Sequence, residues 1–218
     1  MELKGKIINF LGDSITAGSG VSSKDKLFHN LIAERYGLKK ANNYGIGGTR
    51  IAHKKHLAEN DQDMYYATRV DAMDPDADII VVFGGTNDYG HGDALLGSFC
   101  DRTPDTFYGA CHDLFIKLIN KYPGKPIVVI TPLHRENENS PGRDKMPNTR
   151  VSALVEYVDI IKEVARYYSL PVCDMYAESG IQPCVPIIKE MFCPDGLHPN
   201  DAGHVIMAEK LGGFLERL

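Results

Sequence analysis

Asp78-Ile79-Ile80-Val81-Val82-Phe83-Gly84-Gly85-Thr86-Asn87-Asp88 decides the fold. Five apolar residues run without alternation and stop at two glycines. An unbroken apolar run of this length is what a strand covered by helices on both faces looks like. Ile127-Val128-Val129-Ile130 repeats the pattern. Working outward from these two, further strands are expected at Lys6–Leu11, Lys40–Tyr44 and, short and beside Pro171, Leu170–Asp174; the two central ones span Asp78–Phe83 and Pro126–Thr131.

Helical periodicity fills the intervals. Leu27–Tyr36 places Leu27 and Leu31 on one face and stops at Gly37. Thr106–Lys121 repeats apolar residues at Tyr108, Cys111, Phe115, Leu118 and Ile119. Asn148–Tyr168 does so through Val151, Leu154, Val158, Ile161 and Val164, and Asn200–Leu218 opens on good N-cap chemistry. Strands alternating with helices predict an α/β protein with a mostly parallel sheet. No repeat, low-complexity tract or linker divides the chain, so residues 1–218 read as one domain. Asp88–Pro104, Leu133–Pro147 and Met175–Pro194 fit neither pattern. Each follows the carboxyl end of an expected strand, the edge where open α/β sheets bind ligands.

Composition narrows the classes. A hydrophobic share of 43% and a charged share of 24% are ordinary for a globular protein. A formal charge of −5 and a pI near 5.9 argue against a nucleic-acid partner. No stretch approaches the roughly 20 apolar residues that span a bilayer, so no membrane insertion is expected. No export signal is read in Met1–Lys6, and Cys100, Cys111, Cys173, Cys184 and Cys193 form no CxxC pair. Reduced thiols and a cytoplasmic location are therefore expected.

Four segments carry candidate chemistry. Gly12-Asp13-Ser14 puts a serine on a tight turn after the first strand, where its hydroxyl can leave the sheet edge. Asp195-Gly196-Leu197-His198 precedes the last helix. An acid three residues before a histidine can turn back and hold one ring nitrogen while the other faces a hydroxyl. In Gly84-Gly85-Thr86-Asn87-Asp88 the Asn87 amide can donate into a site, and Asn43-Tyr44-Gly45-Ile46-Gly47-Gly48 can expose backbone N–H groups. An oxyanion needs such fixed donors, each worth about 3–4 kcal/mol of barrier. Each segment alone is a common turn; together they converge on one sheet edge.

In the order Gly-Asp-Ser, Asn-x-Gly-x-x-Gly, Gly-x-Asn-Asp and Asp-x-x-His, the chain resembles the SGNH/GDSL hydrolases from Gly12 to His198. The resemblance implies a flavodoxin-like three-layer α/β/α sandwich around about five parallel strands. It implies Ser14 as nucleophile, His198 as base, and Asp195 as the residue orienting it. The Ser14 and Gly48 N–H groups and the Asn87 side chain would form the oxyanion hole. The family needs no metal and no organic cofactor, and its substrates are esters: sugar acetates, short aliphatic esters, lysophospholipids or acyl thioesters. Thr49-Arg50 is a local variation, because an acidic residue is frequent just after the second-block glycine.

The expected function is therefore hydrolysis of a small-molecule carboxylic ester, with carbohydrate O-deacetylation favoured by the polar stretches Asn137–Ser140 and Asp101–Thr103. Asp13, Arg50, His91 and His134 are candidates for the substrate pocket. His53 and His56 are read as rim or solvent residues, and His204 as packed inside the last helix. Two other classes stand against the enzyme. A nucleotide- or flavin-binding module would want a third glycine after Gly48 or a Walker loop, and neither exists. A binding-only relative would have lost part of the triad, and every position is filled. An α/β-hydrolase would need a GxSxG elbow, also missing.

Overall fold

Strands β1 (Ile7–Gly12), β2 (Lys40–Gly45), β3 (Ile79–Phe83), β4 (Ile127–Ile130) and β5 (Val172–Cys173) form one sheet in the order β2-β1-β3-β4-β5. Every neighbouring pair is parallel. This computed structural model describes residues 1–57, 63–139 and 152–218. The strand order reverses direction between β1 and β3, which is the switch point where doubly wound sheets bind ligands. Gly12 lies opposite Gly45 on one side and Phe83 on the other. Three strands thus release the chain at one level.

Helices cover both faces. They are α1 (Ser14–Ala17), α2 (Phe28–Tyr36), α3 (Tyr66–Arg69), α4 (Thr86–His91), α5 (Phe107–Lys121), α6 (Leu154–Tyr167), α7 (Met175–Glu178), α8 (Pro186–Phe192) and α9 (Asp201–Glu216). Ile80 and Val82 of β3 enter a core with Leu114 and Phe115 of α5 and Tyr157 and Ile161 of α6. Ile79, Val81 and Phe83 enter a second core with Phe28 and Ile32 of α2 and Met207 and Leu211 of α9. Each of these side chains contributes roughly 1.5–3 kcal/mol by leaving water. The unbroken apolar run therefore has the cause expected of it, and the chain is a three-layer α/β/α sandwich.

Caps fix the long helices. Thr106 accepts from the Gly109 N–H at 3.2 Å and Asn200 from the Gly203 N–H at 3.1 Å, so both residues stand just outside α5 and α9. β5 is shorter than Leu170–Asp174: Pro171 has no N–H to give the ladder, and only its carbonyl pairs, with the Val129 N–H. Of the helix expected over Asn148–Tyr168, the stretch from Leu154 is helical, while Asn148–Val151 lies outside the described residues. Met175–Pro194, expected to be irregular, contains α7 and α8. Asp174 caps the first by accepting from the Ala177 N–H, and Pro186 opens the second. Helices of four and seven residues are too short for periodicity to reveal. Among the described residues no helix is long and apolar enough to cross a membrane.

Candidate active site

Ser14 opens α1, directly after β1. Asp13 caps that turn: its Oδ1 accepts the Ile15 N–H at 3.0 Å, and its backbone carbonyl accepts from the Ala17 N–H. The Ser14 hydroxyl meets His198 Nε2 at 2.9 Å, and His198 Nδ1 meets Asp195 Oδ2 at 2.7 Å. The carboxylate beside Nδ1 assigns the proton to that nitrogen, so Nε2 accepts from the hydroxyl. The second Asp195 oxygen accepts the Leu197 and His198 N–H groups at 2.8 and 2.7 Å. Burial pushes the Asp195 carboxyl up, but the N–H and imidazole hydrogen bonds outweigh it and hold the acid below its ordinary range. Gly196 makes this tight loop with φ +78°, a conformation that side chains disfavour. Its carbonyl accepts the Glu136 N–H, which joins this loop to the one after β4.

The loop after β2 is gripped through its carbonyls. Ile46 O accepts from the Thr49 hydroxyl at 2.8 Å, Gly48 O from Arg50 Nη1 at 3.2 Å, and Thr49 O from Asn87 Nδ2 at 2.9 Å. Asn87, in the first turn of α4, is thus bonded directly to the loop carrying Gly48 and keeps a second amide N–H. Asp88 adds a further clamp, accepting the Ile51 and Ala52 N–H groups at 3.0 and 2.8 Å. Asp13 and Asp88 are both sealed in the protein, and burial raises each to about 6.

Four sequence-predicted pocket residues take different places. Asp13 is a buried helix cap, not a wall of the pocket: it is 1% exposed, and its Oδ2 has no partner among the described residues. Arg50 lines a cleft of about 220 Å³ with Ile46, Gly47, Gly48, Thr49 and Lys54. Its guanidinium, however, is buried against Asp63 at 3.1 Å, so the local variation at Thr49-Arg50 is charge-compensated. His91 stands at the exposed end of α4, its pKa lowered to about 4 by desolvation of the ring and by Arg50 and Lys54. His134 is tied by Nδ1 to Glu138 and lies over the Tyr176 ring at 3.8 Å. His53 and His56 are not helical and pair with Asp63 and Asp93, respectively. His204 is buried and accepts the Phe28 N–H. Among the described residues no three side chains group to hold a metal.

Arg69 is the structural residue that sequence reasoning missed. Only 7% exposed, it donates to Tyr44 O, Gly12 O and the Thr49 hydroxyl at 2.8, 3.1 and 3.0 Å, tying the ends of β1 and β2 to the glycine loop. Its guanidinium lies 4.7 Å from the Tyr66 ring centre. The available signal was an arginine inside Tyr66-Ala67-Thr68-Arg69-Val70, where an apolar face needs a charge only if something inside accepts from it.

The profile of the GDSL-like lipase/acylhydrolase family matches residues 10–206, and the chain belongs to that family. A Lactobacillus plantarum protein of known structure is 31% identical, with a TM-score of 0.84 over 98% of both chains. The lipase/acylhydrolase from Enterococcus faecalis is 21% identical, with a TM-score of 0.66 over 97% of this chain and 96% of its own. A two-domain esterase active on acetylated mannans is 21% identical, with a TM-score of 0.65; the match spans 99% of this chain and 50% of that one. At that identity the last two speak for the fold alone. No curated protein matches the chain in sequence.

Proposed function

We propose that the protein is a serine carboxylic ester hydrolase acting on small esters. The observation that carries this reading is the continuous Ser14–His198–Asp195 hydrogen-bond chain at 2.9 and 2.7 Å. His198 Nε2 takes the Ser14 proton as the hydroxyl attacks the ester carbonyl. The oxyanion is received by the Ser14 and Gly48 N–H groups and the Asn87 amide. His198 returns the proton to the departing alcohol, then activates the water that releases the acid. Asp195 stays ionised and stabilises the imidazolium. The gripped Gly48 loop supports the oxyanion role, because donors fixed before reaction need no reorganisation when charge develops.

The open cleft of about 220 Å³ beside Gly48 is where we place the substrate, and an acetyl or other short acyl group is the acyl part we favour. A carbohydrate O-acetyl ester is the substrate class we favour, supported by the fold shared with the acetylated-mannan esterase. Hydrolysis of 4-nitrophenyl esters from acetate to decanoate by wild type and Ser14→Ala tests the reading. Turnover concentrated at acetate and butyrate and abolished in Ser14→Ala is expected. Equal, slow turnover by both proteins would remove Ser14 as nucleophile and favour a binding-only relative.

A further inference from the structure

Arg135 stands beside this site with a guanidinium that the fold uses only in part. Nη1 donates to the Thr86 carbonyl at 2.9 Å and to its hydroxyl at 3.1 Å, one residue before Asn87. The Tyr89 ring centre lies 5.3 Å from Cζ. Nε is buried and donates to no described residue. Nη2 also lacks a partner among the described residues, but it is not one of the sealed atoms, so it reaches solvent. Among the described residues no carboxylate pairs with the guanidinium. The adjacent acids are already engaged: Glu136 by Lys189 at 2.9 Å, and Glu138 by His134, Gln182 and the Arg135 N–H. Two contacts tie this loop to the site: Arg135 Nη1 holds the Thr86 carbonyl just ahead of Asn87, and the neighbouring Glu136 N–H donates to the carbonyl of Gly196 in the Asp195–His198 loop.

A partly desolvated cation without a counter-charge is an unfavourable thing to keep. Here it opens onto a cleft of about 90 Å³ lined by Tyr89, Gly90, Arg135, Glu136 and Asn137. We propose that Arg135 is a specificity-determining residue that receives an anionic oxygen, carboxylate or phosphate, carried by the ester substrate. Nη1 anchors the fork on Thr86 and Nη2 meets the anion, so the contact is preorganised and charge-assisted. The inference rests on the serine-esterase reading and deepens it: the same site takes esters that bear a negative charge near the reacting bond.

The test uses pairs that differ in charge and little in shape. Mono-4-nitrophenyl adipate is compared with 4-nitrophenyl hexanoate, and 1-acetylglycerol 3-phosphate with 1-acetylglycerol, for wild type, Arg135→Gln and Arg135→Lys. In one pair, wild type should prefer the charged member by about 10- to 100-fold in kcat/KM, the range of a hydrogen bond to a charged group. Arg135→Gln should abolish that preference, and Arg135→Lys should restore part of it. The pair that responds identifies carboxylate or phosphate. A wild type with no preference in either pair overturns the proposal whether or not the variants fold. So does a preference that survives Arg135→Gln, or an equal loss on both members, which would mark a purely structural arginine. Ser14→Ala on 4-nitrophenyl acetate runs alongside. Turnover independent of Ser14 would sink the esterase reading itself, and this proposal with it.

Discussion

Replacing Asp13 by Asn removes a charge that the fold tolerates poorly. The amide keeps the one contact the carboxyl makes, Oδ1 accepting from the Ile15 N–H at 3.0 Å, and puts a neutral NH₂ where Oδ2 now has no partner. Burial raises the Asp13 carboxyl from its ordinary 3.8 to about 6, so the folded protein holds this proton more tightly than the unfolded chain does. The sign follows: the stability tied to Asp13 is fully present below pH 3.8 and is lost as pH rises through 6. At about 1.4 kcal/mol per pH unit the gap amounts to about 3 kcal/mol, of which about 2 kcal/mol is lost between pH 4.5 and pH 8. The substituted amide never ionises, and Asp88, raised likewise by burial, is common to both proteins. Urea unfolding of wild type and Asp13→Asn at several pH values therefore has a definite expectation. The variant gains about 2 kcal/mol on wild type between pH 4.5 and pH 8. Unfolding free energies that fall in parallel across that range would show that Asp13 ionises as easily folded as unfolded, and would refute the reasoning.

Asp195→Asn should lower kcat by about 10³- to 10⁴-fold, because an amide cannot stabilise the imidazolium that forms at His198; unchanged kcat in steady-state assays would count against the triad. Gly45→Ala would put a methyl 2.3 Å from the Ala17 backbone nitrogen. Backbone cannot step aside as a side-chain end can, so a cost of about 3 kcal/mol and a Tm loss of roughly 6–12 °C are expected by calorimetry. Arg69→Met should remove one donor each from Gly12 O, Tyr44 O and the Thr49 hydroxyl, costing about 3 kcal/mol in denaturant titration and lowering activity through the loosened glycine loop.

What the sequence made legible was whatever is encoded by near neighbours. β3 and β4 announced themselves because burial on both faces demands an unbroken apolar run, α5 because its apolar residues recur at helical spacing, and α9 because Asn200 caps it locally. Asp195 could be paired with His198 because three residues of loop are enough to close that contact. Asp13, Arg50 and Arg69 were another matter. What encloses them is decided by the packing of the fold, so the sequence shows neither the burial of Asp13 nor the partners that occupy the two guanidinium groups. Asp63 neutralises Arg50, and Gly12, Tyr44 and Thr49 together accept from Arg69. The seven residues of α8 carry too little periodicity to separate a helix from a loop, even with Pro186 at its start.

The contact between Ser14 and His198 joins residues 184 positions apart. During synthesis the serine turn leaves the ribosome long before its histidine, which emerges just ahead of α9. The helix that seats the histidine loop closes the second core, packing Met207 and Leu211 against β3. A nascent chain therefore carries an unarmed hydroxyl through the making of every strand of the sheet. The Ser14–His198 contact can form only once the last segment of the sheet's second cover is in place, so whatever chemistry depends on that contact waits for the end of the chain.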